Sequence, residues 1–384
     1  MNEVYLVGGV RTPIGKTGGM LRTLLPEDLG AAVLNAVLAR YALTPETINQ
    51  VILGNAVGPG GNIARVCLLA AGWPYSVPAM TIDTQCGSGL SAVNTAASLI
   101  KAGEAELVVA GGVESTSMAP RRQFNPTDPR FAGPEVYYER APFSTPAIGD
   151  PDTGEAAEKL AALKQVTRED MDALALESHR RAVRTRDNGV LQDILLPLCV
   201  DGKTIAYDEC IRDNMSASLL RRMPSVFAKG GSVTAGNTCL KHDGAAVVLL
   251  ASTAAVKRYG LKPVGKIVQS AIAGCDPNWF PLSPVPSIRA LLKKAQLTLA
   301  DIAALEINEA FAVKILTCCR ELGYSLDKTN ILGGALSYGH PYGASGAIIL
   351  LHLLKALEQM DGRFGVAAIG AVGGQGISTL MERI

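Results

Sequence analysis

The chain has 384 residues, of which 48% are hydrophobic and 18% charged, with a formal net charge of +1 at pH 7. That balance excludes the basic excess of a nucleic-acid binder and the low hydrophobicity of a disordered chain. At this length two or three packed units are expected.

Taken in chain order, short apolar runs alternate with Ala- and Leu-rich stretches. "EVYLVGG" reads as a strand, "DLGAAVLNAVLARY" as a helix, "QVILGNAV" and "AMTID" as strands, "GLSAVNTAASLIKAG" as a helix and "ELVVAGG" as a strand. From about Pro120 to Gly236 the chain turns richer in Pro, Arg, Asp and Tyr. There "APRRQFNPTDPRFAGPEVYYERAPFSTP" has no periodic segment and reads as a loop region. "TREDMDALALESHRRAVRTRDNG" then reads as one amphipathic helix, capped by Thr167 with Asp170 three residues on and closed by Gly189. "AAVVLLAS", "ALEINE", "TNILGGA" and "GVAAIGAVGG" read as further strands, and "EAFAVKILTCCRELG" and "SGAIILLHLLKALEQM" as helices. Unbroken apolar strands suit a sheet covered on both faces, so the pattern is layered α/β.

The plan of "CGSGLSAVNTAASLIKAGEAELVVAGG" returns in "GASGAIILLHLLKALEQMDGRFGVAAIGAVGG". Each has a small-residue start, a helix, a charged turn and a strand ending in Gly-Gly. This is either an internal duplication or the chance likeness of two glycine-rich βα units.

"MNEVYLVGGVRTP" lacks a basic start followed by a long apolar run, so no signal peptide is expected. "GAIILLHLLKAL" is too short to span a bilayer and carries Lys355, so no membrane partner is expected. The eight cysteines form no C-x-x-C pair, and neither a metal site nor a permanent cofactor is expected. A reduced, cytoplasmic protein is the reading.

Three stretches could carry chemistry. Cys86 precedes a helix start, where backbone N–H groups and the macrodipole favour a thiolate. The alternative is an ordinary buried cysteine. Of four histidines, His340 alone lies in a Gly/Pro loop before a helix, where it could exchange a proton with a thiol. His179 reads as lying on a charged helix face, His242 as a turn residue and His352 as a packed core residue. Asn308, at the corner of "EINEAFA", either caps the next helix or orients a water or a carbonyl oxygen.

Together "CGSGL", "AGGVESTS", "GSVTAGN", "NEAFA" and "GHPYGASG" resemble motifs of the thiolase family, in that family's order and near its spacing. The likeness runs from "GGVRTPIGK" to "GGQG", essentially the whole chain. It implies two similar βαβαβαββ halves of layered helices and sheets with an inserted loop domain. The N-terminal half would span 1–119 and 237–262, the insertion 120–236 and the C-terminal half 263–384. It further implies an acyltransferase on coenzyme A thioesters, assembled as a homodimer or homotetramer. In it Cys86 would be the nucleophile, His340 its activator and Asn308 the holder of a water in an oxyanion hole. The N–H groups of Cys86 and of a loop residue near Val372 would form a second such hole. Arg221, Arg222, Lys229, Ser232, Ala235, Gly236 and Cys239 fall where the family grips coenzyme A; the alternative for the basic cluster is a solvated surface.

One departure stands out. The family's second catalytic cysteine belongs to C-x-G-G-G-x-G, and "GAVGGQG" puts Gly370 at that place and Val372 at a usual glycine. Acyl transfer to Cys86 expels a good leaving group, but carbon–carbon bond formation needs a base at the α-carbon. No titratable residue of "FGVAAIGAVGGQGIS" replaces the cysteine. The Cys-His-Asn set also resembles that of initiating ketoacyl-ACP synthases, which form their carbanion by decarboxylation. A non-catalytic acyl-CoA-binding paralogue and a cysteine hydrolase are the remaining readings.

Overall fold

The computed structural model describes residues 2–384. The first half runs β1 (Val4–Arg11), α1 (Pro26–Arg40), β2 (Gln50–Gly54), α2 (Ile63–Ala70), β3 (Ala79–Ile82), α3 (Ser88–Ala102) and β4 (Leu107–Glu114). An insertion with α4 (Thr153–Leu163) and α5 (Arg168–Asp187) follows, and the chain returns as β5 (His242–Ser252). The second half runs β6 (Gly265–Gly274), α6 (Pro284–Ala295), β7 (Ile302–Ile307), α7 (Ala312–Leu322), α8 (Tyr342–Met360), β8 (Phe364–Ala371) and β9 (Gln375–Arg383).

The main strands form one sheet in the order β7-β8-β9-β6-β1-β5-β4-β2-β3. Each half repeats the same pairings. β2 lies parallel to β4 as β7 does to β8, and β4 antiparallel to β5 as β8 to β9. β5 is antiparallel to β1 as β9 is to β6. The halves join where Tyr5 and Leu6 of β1 pair with Lys266 and Gly265 of β6. The repeat seen in the sequence is therefore a repeat of topology.

Strand alternation builds the layers. Val108 and Ala110 of β4 face a central core with α3 and α8, while Leu107 and Val109 face outward to α1 and α2. In β8, Ala367 and Ile369 face the same central core, while Val366 and Ala368 face α6 and α7. Helices thus cover both sides of each half-sheet, with α3 and α8 shared between them. Each fully buried Leu, Ile or Val contributes roughly 1.5–3 kcal/mol to this arrangement.

The insertion behaves as its composition suggests. No helix or strand occurs between β4 and α4, and α5 starts on the Thr167–Asp170 capping box.

Three readings need correction. "TNILGGA" is not a strand; only Thr329 forms a bridge, to Leu305. The Asn330 side chain replaces the ladder, its Oδ1 accepting from Ile307 N and its Nδ2 donating to Ile307 O, each at 2.8 Å. His179 is not on an exposed face but 4% exposed, turned inward with its Nδ1 accepting from Arg212 N–H. His242 is not a turn residue; it is buried and opens β5.

Candidate active site

Cys86 lies in the tight turn between β3 and α3. Gln85, just before it, is held at φ +54°, a left-handed conformation that costs an L-residue about 1–2 kcal/mol. Asp83 steadies it by accepting the Gln85 N–H at 2.8 Å, and Ser88 Oγ accepts the Thr84 N–H at 3.0 Å.

α3 and α8 cross at their starts because glycines let them. A Cβ on Gly89 would stand 2.5 Å from Gly343 O, and one on Gly346 2.0 Å from Leu90 N. The crossing brings the Cys86 turn against the Gly339–Gly343 loop that carries His340.

His340 is fixed on three sides. Its N–H points at His242 Nδ1 at 3.0 Å, a nitrogen that also lies 2.8 Å from Leu240 O, while His242 Nε2 is 3.4 Å from Cys210 Sγ. Its Nδ1 is 2.6 Å from Ser345 Oγ, and its Nε2 is 3.3 Å from Asn308 Nδ2. With Asn308 donating, the imidazole carries its proton on Nδ1, and the unprotonated Nε2 accepts the Asn308 N–H. The Tyr342 ring meets the imidazole edge-on at 5.1 Å.

Two carboxylates that were not singled out in the sequence hold this framework. Glu114 accepts from Asn55 Nδ2 and from the N–H groups of Ala56, Val57 and Gly343, tying the two halves together behind the His340 loop. Burial pushes its carboxyl up to about 7, against the pull of those N–H donors. Glu309 accepts from Ser178 Oγ, Asn330 Nδ2 and Leu336 N and so ties the Asn308 corner to the loop before α8. Both lie inside motifs quoted above, "AGGVESTS" and "EINEAFA", so their signal was present. Ser345 likewise lies inside "GHPYGASG", whereas His242 and Lys314 gave no comparable signal.

The electrostatics reverse one expectation. Burial pushes the Cys86 thiol up to about 11, outweighing the helix start and the nearby Lys314. His340 is held well below the ordinary imidazole range, chiefly by burial and then by Lys314 and His242. The resting pair is thus a neutral thiol and a neutral imidazole, a protonation state fit for proton transfer on attack.

The remaining candidates sit as follows. Gly370 is the penultimate residue of β8, opposite Gly376, and Val372 is buried in a cluster with Phe311 and Val233 that Phe143 and Cys239 flank. Cys239 is half-buried, its N–H donating to Ala310 O. Gly236 is buried, and Ala235 is exposed. Ser232 Oγ donates to Glu158. Arg221, Arg222 and Lys229 are exposed. The structure brings His340 and Asn308 together and sets the Cys86 turn against their loop; the three basic residues stay on the surface of the insertion.

Among the described residues, four buried side-chain polar atoms lack a partner: Arg11 Nε, Glu306 Oε1, Asn308 Oδ1 and His352 Nε2. The last three residues line one cavity of about 20 Å³ behind the His340 loop. A cavity needs roughly 10–15 Å³ to hold one water. No helix among the described residues is long and apolar enough to cross a membrane, and no cluster of metal-ligating side chains occurs among them.

Comparison with known proteins agrees with this architecture. The thiolase N-terminal domain profile matches residues 4–254 and the thiolase C-terminal domain profile residues 261–383. YhfS of Bacillus subtilis (strain 168), which carries the provisional name acetyl-CoA C-acetyltransferase, is 42% identical over 384 residues, covering 100% of this chain and 99% of its own. VraB of Staphylococcus aureus, with the same provisional name, is 39% identical over 383 residues, covering 100% of both. The crystal structure of the Bacillus anthracis acetyl-CoA acetyltransferase superposes with a TM-score of 0.93 at 35% identity, covering 100% of this chain and 99% of that one. That of human mitochondrial 3-ketoacyl-CoA thiolase in complex with CoA gives 0.93 at 35% identity, covering 100% and 98%. Two domain matches spanning nearly every residue, over a duplicated fold with the Cys86 turn facing the His340 loop, place the chain in the thiolase family, and it is an acyltransferase enzyme.

Proposed function

We propose that the protein takes an acyl group from a coenzyme A thioester onto Cys86 and passes it to a second thioester, or back to coenzyme A. The observation that carries this is the apposition of the Cys86 turn and the His340 loop at the glycine crossing of α3 and α8. In the acylation step His340 Nε2 exchanges the Asn308 hydrogen bond for the Cys86 proton while Ser345 Oγ holds Nδ1. The sulfur attacks the thioester carbonyl, the carbon–sulfur bond to coenzyme A breaks, and His340 protonates the departing thiolate. Preorganised donors then stabilise the oxyanion. The unpartnered Asn308 Oδ1 beside a water-sized cavity supports a water-holding role for Asn308. The N–H groups of Cys86 and of a loop residue near Val372 are the second donor pair. Arg221, Arg222, Lys229, Ser232, Ala235, Gly236 and Cys239 form the coenzyme A side of the pocket in this reading. Loop residues 120–160 shape the acyl-chain pocket, and the enzyme is a cytoplasmic homodimer or homotetramer.

Intact-mass spectrometry after incubation with acetyl-CoA tests this reading. One acetyl group should appear, map to Cys86 and be missing from Cys86→Ala. An adduct that persists on another cysteine in Cys86→Ala defeats it. Condensation with malonyl-CoA alone, releasing carbon dioxide, favours the decarboxylating alternative.

A further inference from the structure

By the resemblance, Gly370 stands where thiolases keep the base of the carbon–carbon step. β8 alternation turns position 370 away from the central core. A Cβ there would lie 2.6 Å from Ser283 Oγ and 2.9 Å from Pro284 Cδ. The Ser283 hydroxyl fills that space, donating to Phe280 O and Gln375 O at 2.7 and 2.9 Å. A cysteine side chain at 370 has to push the Ser283 hydroxyl and the Pro284 ring aside.

A different titratable group reaches the Gly370 backbone. Lys314, on the first turn of α7, is fully buried, and its Nζ lies 3.3 Å from Gly370 O. Among the described residues no carboxylate pairs with it, and that carbonyl is the one hydrogen-bond acceptor it meets. An ammonium has three donors to satisfy and a neutral amine two plus a lone pair, so one acceptor in a buried site suits the amine. Its charged and titratable neighbours are Cys318 on its own helix, Cys86 at the α3 turn, Cys239 in the loop before β5 and His340 before α8. Three of these four belong to the proposed site.

We propose that Lys314 is the base of the second half-reaction, doing from α7 what the family's second cysteine does from the strand end. This rests on the acyl-transfer reading above. The neutral amine takes a proton from the α-carbon of the second thioester, and the C–H electron pair becomes an enolate. The enolate carbon bonds to the acyl carbon on Cys86, the carbon–sulfur bond breaks, and Cys86 leaves as a thiolate. The Lys314 ammonium then returns its proton to that sulfur. In cleavage the same ammonium protonates the departing carbanion. Burial lowers the Lys314 amine from its ordinary value of 10.5, which enlarges the neutral fraction near neutrality.

The test compares wild type with Lys314→Met, which keeps length without an amine, and Lys314→Arg, which keeps charge and cannot accept a proton. Three quantities are measured: Cys86 acylation by intact mass, acetoacetyl-CoA formation, and α-deuterium uptake by acetyl-CoA in D2O. Condensation and deuterium uptake should fall about 10²- to 10⁴-fold in both variants, with a much smaller change in acylation. Wild-type deuterium uptake should level off below pH 10.5, a readout that needs no variant. Condensation or uptake near the wild-type rate in either variant overturns the proposal. So does a parallel loss of acylation in folded protein, or wild-type uptake still climbing past pH 10.5. Wild type that acylates without α-exchange refutes the Lys314 role and leaves acyl transfer standing. Wild type that never acylates refutes the reading on which it rests.

Discussion

The glycine crossing of α3 and α8 can be tested by one methyl group. Gly346→Ala places a Cβ 2.0 Å from Leu90 N and 2.7 Å from Leu90 Cα, where ordinary contact begins at 3.4 Å. Both neighbours are backbone, so the helices must part by about 1.4 Å. Helix propensity alone favours alanine over glycine by about 1 kcal/mol, whereas overpacking a core costs about 1–3 kcal/mol. The stability change is therefore a small gain cancelled or exceeded by the clash. The larger effect falls on rate. The His340 loop precedes α8 and moves with it, while Cys86 stays with α3. A misplacement of about 1 Å costs ~10²-fold, so acylation of Cys86 by acetyl-CoA should slow about 10²-fold or more. Quenched time courses read by intact mass give that rate, and thermal melts give the stability. Gly274→Ala, with nothing within 4 Å of its Cβ, is the control. Wild-type acylation in Gly346→Ala, with a melting temperature raised as propensity alone dictates, would refute the reasoning.

Two further outcomes are expected. Gly370→Cys should lose about 1–3 kcal/mol through collision with Ser283 Oγ and Pro284 Cδ and gain no condensation; a melting temperature equal to that of the wild type counts against this account. His179 is held down to about 4 by burial and then by Arg212, against an ordinary 6.5. The unfolded chain therefore binds this proton first. Its contribution is full above pH 6.5, lost as pH falls and gone by about pH 4, roughly 3 kcal/mol in all. His179→Gln should flatten denaturant-measured stability across that window, and identical pH slopes in both proteins would sink the assignment.

The sequence revealed what repeats and what is capped. Leu and Val spacing marked α1, α3 and α8, and Thr167 with Asp170 marked the start of α5. The motif cysteine, histidine and asparagine were legible because glycines and a proline framed them. β6 was missed because "GKIVQSAIAG" mixes polar and apolar residues on a strand half-exposed along much of its length. β9 was missed because "QGISTLMER" buries Ser378 and Thr379, which read as surface residues. Asn330 defeated the expected strand because a side chain can stand in for a backbone ladder. Lys314 escaped for a related reason: a replacement base was sought along the strand that lost the cysteine. A lone lysine on an apolar helix reads as solvated, and only the fold carries it across to Gly370 O.

The repeated topology has a consequence for how the chemistry is shared out. The turns before α3 and α8 are equivalent places in the two halves, yet one carries a thiol and the other an imidazole. Two identical halves paired about a twofold axis would present two thiols to each other, or two imidazoles, and neither set makes a nucleophile with its base. Joining the halves in one polypeptide removes that restriction, since each copy can then change alone. The protein is symmetric in its scaffold and asymmetric in its reactivity, and covalent linkage of the halves lets both hold at once.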